Sequence, residues 1–376
     1  MRRTPALIVG GGPAGATAAL VLARAGAPHL LIERCAEVPD ILCGGFLSWR
    51  TLATLDRLGI PADALNRDRV TRVRLHCGGR SATASLPKPA LAVSRRRLDS
   101  IIMALAKKAG AEIETGAAAR AIDGYVVRLA DGGNVAGDSL FLATGKHDLR
   151  GLARPVAARG DDPTLGLRVR LGPSPTLDRM IGDAIELHLF GGGYAGIARQ
   201  EDGSVNLCLA VHRSRLTDAG SPEMLLTRLG DENPQLGERL AHRASGSTID
   251  AVANVPYGWR ARDGVAGLFR LGDQAAVIPS LAGEGVGIAL ASGARAATAY
   301  LANGRDAAAS YQQRLARDLA RPFAVVGALR AVAERPDTAW TLLTAMRGVP
   351  ALASLAASLT RIKHSPLDAR WAALKG

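Results

Sequence analysis

The sequence predicts an α/β protein whose leading domain is a Rossmann-like dinucleotide-binding fold. Two stretches carry that prediction. Near the N-terminus a buried strand, a Gly10-x-Gly12-x-x-Gly15 turn, a helix and a second strand closing on Glu33 follow in order. Far downstream, a strand ends in Gly272-Asp273 and leads into a glycine-rich loop and a helix.

The elements can be justified in chain order. Ala6-Leu7-Ile8-Val9 is a short apolar run suited to a strand buried on both faces. Gly10 allows the tight turn, Gly12 lets backbone N–H groups approach a pyrophosphate, and Gly15 permits close helix–strand packing. Pro13 and Ala14 belong to the same phosphate turn, where a helix N-terminus favours negative charge. Ala16 to Ala25 has no helix breaker, Gly26 ends the helix, and Leu30-Leu31-Ile32 forms the second strand. Glu33, 18 residues after Gly15 and followed by Arg34, is placed to accept hydrogen bonds from a ribose and would repel a 2′-phosphate.

Thr4 to Ala23 is a run of twenty uncharged positions after Arg2 and Arg3, long enough for a spanning helix or a signal peptide. Gly10, Gly11, Gly12, Pro13 and Gly15 interrupt it where helix propensity is worst, so it reads as strand, turn and helix.

The first unit alone leaves FAD and NAD open. The second stretch decides. Asp273, at a strand end, can hold a polyol hydroxyl. Pro279 and the loop through Gly283, Gly285, Val286 and Gly287 can point N–H groups at an electron-rich ring. FAD has both a ribityl chain and a flavin edge, and NAD has neither.

Composition bounds the rest. The chain has 376 residues, 48% of them hydrophobic and 22% charged, which is globular and long enough for two or three structural units. Its net charge is +13, but 41 of the 47 basic residues are Arg, no run of five like charges occurs and aromatics are only 4%. That combination argues against nucleic-acid binding. Cys35, Cys43, Cys77 and Cys208 form no C-x-x-C pair, which argues against a disulfide framework and a structural metal site and leaves a reducing, cytoplasmic setting as the expectation.

Taken together, these motifs resemble the FAD-dependent oxidoreductases of the para-hydroxybenzoate hydroxylase superfamily, nearest the geranylgeranyl reductase branch. Cys43-Gly44-Gly45-Phe46 resembles that branch's Cys-Gly loop. Arg95-x-x-Leu98-Asp99 is similar to its Arg-x-x-Phe-Asp motif, and Val255-Pro256-Tyr257-Gly258 to its Ile-Pro-Tyr-Gly. The resemblance implies a glutathione-reductase-type FAD domain built from residues 1–70, 88–155 and 255–320. It implies an inserted antiparallel sheet from 71–87 and 156–254, and a helical C-terminal region over 321–376. It also implies FAD contacts at Gly44, Gly45, Arg95, Thr144 and Gly145, catalytic candidates Cys43 and Tyr194, and NAD(P)H as electron donor. The loop from Gly145 to Arg150 keeps only the glycine and the Arg150 position of the hydroxylases' pattern after that strand.

The middle departs most. Gly191 to Arg199 keeps Tyr194 but lacks the Trp, Phe and Pro of the reductases' prenyl-lining strand, with Gly193, Ala195 and Gly196 leaving room for a wide, ring-like substrate head. The expectation is therefore an oxidoreductase acting on an apolar small molecule. Hydroxylation through a flavin C4a-hydroperoxide is placed ahead of alkene reduction with a proton from Cys43, and a non-catalytic prenyl- or acyl-binding protein is third. His188 and Tyr194 would share a face on a straight strand, although Gly191–Gly193 predicts a bulge between them. The C-terminal helices are expected to pack on the FAD domain. The sharper alternative is contact with an anionic membrane, since residues 301–376 carry eleven basic and five acidic side chains.

Overall fold

The computed structural model describes residues 1–244, 246–349 and 351–362. The N-terminal strand Arg2–Val9 lies at the centre of a seven-stranded sheet, parallel to Leu30–Glu33 on one side and Asn134–Leu142 on the other. Ala6 to Val9 are at most 2% exposed, as a strand covered on both faces requires. Glu112–Thr115 extends the sheet beyond Leu30–Glu33, and Leu268–Arg270 joins it in parallel beside Asn134–Leu142.

Helices Pro13–Arg24, Arg95–Lys108 and Gly285–Asn303 pack on this sheet. The first and last of these approach unusually closely. A Cβ on Gly293 would lie 2.2 Å from the Ala14 carbonyl oxygen, and one on Gly15 would lie 1.9 Å from the Gly10 oxygen. Gly293 is therefore a steric requirement of that helix pair, and Gly15 one of seating the first helix on the phosphate turn.

The second sheet has eight strands. It is antiparallel except where Ala184–Phe190 runs parallel to Val70–Cys77. Its extent differs from the sequence reading. Strand Arg80–Ala92 continues beyond residue 87 as far as the Ser94 cap of the next helix, and Phe46–Leu47 joins the same sheet edge. Pro87 and Pro89 sit near this edge, where a missing N–H is tolerated.

Two further expectations change. Gly191 and Gly192 form the turn of a hairpin, with φ +75° at Gly192, where a bulged single strand was expected. Leu189 therefore pairs with Tyr194 and His188 with Ala195, so His188 and Tyr194 occupy opposite faces. The tail also packs differently. Helix Ala307–Asp318 covers the FAD domain, but Pro336–Gly348 and Ala351–Leu359 lie on the second sheet, against Val70–Cys77 and Arg80–Ala92.

Candidate functional site

Both glycine-rich loops open into one cavity of about 820 Å³, bounded by the two sheets and the C-terminal helices. At one end helix Pro13–Arg24 begins after Gly12 with no side-chain cap, so its first N–H groups have no intrahelical partner. Gly10, at φ +107°, makes the turn, and a Cβ there would sit 2.5 Å from the Ala143 oxygen. A Cβ on Gly12 would meet only Arg95 Nη2, at 3.5 Å. Gly10, Gly12, Pro13 and Ala14 line the cavity, while Gly15 packs behind it.

Glu33 stands at the rim, but its carboxylate is already engaged. Oε2 accepts from the Gly11 N–H at 2.6 Å and Oε1 from the Cys35 N–H at 2.9 Å. It therefore ties the phosphate turn to the end of the second strand. Arg34 reaches His147 Nε2 at 3.0 Å. Among the three consecutive arginines, Arg95 is the one turned inward. It lines the cavity and pairs with buried Asp99 at 2.6 Å, while Arg97 binds the Ala64 carbonyl. Burial pulls the Arg95 pKa down, but Asp99 more than compensates and holds it above its ordinary value.

At the centre, Thr144 and Gly145 line the cavity at the end of Asn134–Leu142. Asp273 also faces it, and its carboxylate pairs with Lys146 Nζ at 2.9 Å. That attraction raises the lysine pKa. Sequence reasoning missed Lys146, because its position in the loop has no counterpart in the hydroxylases' pattern.

The second loop turns at Gly283, φ +61°, after Pro279 and a short 3₁₀ turn. Helix Gly285–Asn303 then starts, again without a side-chain cap, and a Cβ on Gly285 would meet nothing within 4 Å. Gly283, Gly285 and Val286 line the cavity. Gly287 instead packs on Glu284 and Thr51. Glu284 is 1% exposed. Its carboxylate accepts from Ser48 and Thr51, both at 3.3 Å, and pairs with Arg361 at 3.4 Å. Burial raises the Glu284 pKa despite these partners. Arg361 also donates to the Ala282 carbonyl at 2.5 Å and lies over the Trp49 ring. No sequence signal marked this tail arginine, which folds back from the far end of the chain.

The substrate side lies between the second sheet and the C-terminal helices. Leu75, Leu187 and Leu189 face Leu342 and Met346 across it. Tyr194 is 3% exposed and reaches the cavity, but its hydroxyl accepts from the Leu281 N–H at 2.8 Å and lies 2.7 Å from Ser280 Oγ. It thus clamps the sheet to the second loop. Burial pushes its pKa well above the ordinary phenol value, so it stays protonated. Ala195 does not line the cavity. It is fully buried in the core behind the sheet, whereas Gly196 does line it, which corrects the expectation that Ala195 opens the pocket.

Cys43, Gly44 and Gly45 line the cavity on the loop before Phe46. The Cys43 carbonyl accepts from Asn206 Nδ2 at 2.8 Å and from the Cys208 thiol at 3.2 Å. Burial pushes the Cys208 pKa up to about 12, which keeps its S–H available for this bond. The Cys43 sulfur accepts a hydrogen bond from the Gly45 N–H at 3.4 Å.

Behind the sheet, His76, Glu186 and His188 have the spacing of metal ligands. Glu186, however, already takes Arg74 at 2.6 Å and Arg239 at 3.0 Å, so a divalent cation would add charge to a site in positive excess. Burial pushes the Glu186 carboxyl up, but hydrogen bonds from His188 and Arg239, with His76 close by, reverse this and hold it well below its usual range. Burial lowers the His188 pKa to about 4, so it is neutral at physiological pH.

Two uncapped helix N-termini facing one cavity, open space at Gly12 and Gly285, and a carboxylate at Asp273 between them suit a molecule with a pyrophosphate, a polyol and a polar ring edge. FAD fits that set, and the chain is an FAD-dependent oxidoreductase. The family described as FAD binding domain matches residues 3–150. Menaquinone reductase of Mycobacterium tuberculosis is 31% identical over 341 residues, 85% of this chain and 81% of that protein. Digeranylgeranylglycerophospholipid reductase 2 of Methanopyrus kandleri is 27% identical, covering 76% and 74%. A geranylgeranyl bacteriochlorophyll reductase-like protein from Thermoplasma acidophilum superposes with a TM-score of 0.71 at 21% identity, over 99% of this chain and 96% of that one. The protein pqsL from Pseudomonas aeruginosa, described as a probable FAD-dependent monooxygenase, gives a TM-score of 0.70 at 16% identity, over 90% and 98%. At those identities the two structures establish shared fold only. The chain belongs to the geranylgeranyl reductase branch of the para-hydroxybenzoate hydroxylase superfamily.

Proposed function

We propose that the protein reduces a carbon–carbon double bond in an apolar, chain-bearing molecule. The observation that carries this reading is the apolar slot running from the second glycine loop between the leucine-lined sheet and helices Pro336–Gly348 and Ala351–Leu359. The missing Trp, Phe and Pro near Tyr194 had favoured hydroxylation. Here Leu342, Met346 and Ala353 from the tail supply an apolar wall instead, so that argument loses its force. The curated relatives that cover most of the chain are named as reductases, which supports the same choice.

Gly10, Gly12, Arg95, Asp273 and the Gly283–Val286 loop would hold FAD, whose reduced ring supplies hydride to the alkene. The chain's own residues do the rest. Leu75, Leu187, Leu189 and Met346 exclude water around the substrate chain. Tyr194 and Ser280 hold the second loop in register with the sheet. Cys43, which lines the cavity and whose sulfur accepts from the Gly45 N–H, holds the proton that completes the addition, and solvent restores it. The electrons are expected from NADH or NADPH. Anaerobic bleaching of the flavin by either one tests that.

A second reading, hydroxylation, draws on Gly196, where a Cβ would meet Leu187 Cδ2 only at 3.7 Å, leaving space for a ring. One experiment separates the two. The flavin-loaded protein is reduced without oxygen and mixed with a polyprenyl lipid, and the product mass is read with and without ¹⁸O₂. Gain of two hydrogens without oxygen supports reduction. Gain of one labelled oxygen overturns it in favour of hydroxylation.

A further inference from the structure

The two helices that wall the slot have an outer face as well. Trp340, Val349, Leu352 and Leu355 are 45 to 55% exposed and lie within sixteen residues of one another. Large exposed side chains scattered singly need no explanation, but this grouping does. The helices Pro336–Gly348 and Ala351–Leu359 meet at 116°. No single described helix is long and apolar enough to cross a membrane, so a pair bent this sharply suits lying on a bilayer better than traversing one.

Two observations indicate what covers this face. The first is charge. Arg80, Arg335 and Arg347 are exposed on or beside it, and the Arg80 guanidinium lies over the Trp340 ring, 4.9 Å from its centroid. Lys88 is exposed on the strand that helix Ala351–Leu359 packs against. Asp337, at the far N-terminal end of the first helix, is the acidic residue on this pair. Basic side chains around an indole and leucines match the interface of an anionic bilayer, where arginines meet headgroups and the indole sits at their level. The second is continuity with the cavity. Leu352 is 45% exposed and also lines the slot, so it stands at the mouth, with Ala353 and Ala356 behind it.

We infer that the outer face of helices Pro336–Gly348 and Ala351–Leu359 docks on an anionic phospholipid bilayer, with Leu352 at the opening through which an apolar molecule passes from lipid into the slot. The surface goes beyond the proposed reaction and is read without any substrate. A failure here therefore leaves the reductase reading intact, and the reverse also holds.

The test is flotation of the flavin-loaded protein with vesicles of equal parts phosphatidylglycerol and phosphatidylcholine, against vesicles of phosphatidylcholine alone. The inference expects binding to the anionic vesicles, with at least a tenfold loss in Leu352→Ser/Leu355→Ser. It also expects loss when salt rises from about 0.1 to about 1 M, which shortens screening from ~10 to ~3 Å. Arg80→Glu, at the exposed start of strand Arg80–Ala92, should weaken binding several-fold and covers the case where the leucine variant loses its fold, as judged by flavin content. Absence of vesicle binding, or equal binding by both variants, overturns the inference. A stable dimer that Leu352→Ser/Leu355→Ser dissolves, without vesicle binding, assigns the face to a second copy of the chain and overturns it as well.

Discussion

Replacing Arg361 with Met should loosen the flavin loop from a distance along the chain. The guanidinium is 5% exposed and is the charged partner of Glu284, which is 1% exposed. Removing one member of a buried pair typically costs about 3–5 kcal/mol, because the other is left uncompensated. Unfolding entropy of about 2.1 cal/mol/K per residue makes 1 kcal/mol worth roughly 1.3 °C for a chain this long, so the loss should be about 4–6 °C in Tm. The pH dependence has a definite sign. Glu284 already has a raised carboxyl pKa, and losing Arg361 raises it further. A group whose folded pKa is raised adds stability below its unfolded pKa and loses it as pH rises through the folded value. The Tm deficit of Arg361→Met should therefore be larger at pH 8 than at pH 5. Adding Glu284→Gln should recover much of the deficit and flatten its pH dependence. Differential scanning fluorimetry with a parallel flavin titration reads both. A variant with wild-type Tm at pH 8, or a deficit that shrinks as pH rises, would refute the reasoning.

Other outcomes follow from the site. Gly196→Phe should fill the slot and abolish turnover while leaving the flavin spectrum unchanged, whereas Ala195→Phe should lower Tm, because that position lies in the core behind the sheet. Glu33→Gln would turn an amide NH₂ toward one of two backbone N–H groups, so FAD affinity measured by fluorescence quenching should fall about tenfold or more. Asp273→Asn removes the partner of Lys146, and the lysine pKa should drop, readable as a shift in the pH profile of flavin binding. Cys43→Ala should reduce kcat for alkene reduction with FAD retained. Unchanged kcat would remove the thiol from the reaction.

The FAD half of the fold was legible because its signals are local. The order from Ala6 to Glu33 and the loop from Gly272 to Gly287 each specify backbone geometry over a few residues. Arg95 could be singled out by motif, and the structure turns it inward while Arg97 stays outside. The hairpin at Gly191–Gly192 was misread because glycines announce a turn and a bulge alike, and the choice depends on a partner strand that periodicity does not reveal. That ambiguity left the face of His188 open in the sequence, and the hairpin settles it by pairing His188 with Ala195. The Arg361–Glu284 pair spans 77 residues, and Lys146–Asp273 spans 127. Neither has a sequence signature, since ion pairs between distant elements are created by tertiary packing.

The contact of Ala14 and Ala18 with Gly293 bears on the order in which the protein comes to exist. The phosphate turn leaves the ribosome well ahead of the helix that completes the site, which begins only at Gly285. Domains usually fold as they emerge, but contacts this distant in sequence must wait. A nascent chain shorter than about three hundred residues should thus expose the apolar face of Pro13–Arg24 and hold no flavin. Cofactor retention is then a property of chains made past that helix, and flavin supply during synthesis should govern how many of them escape aggregation.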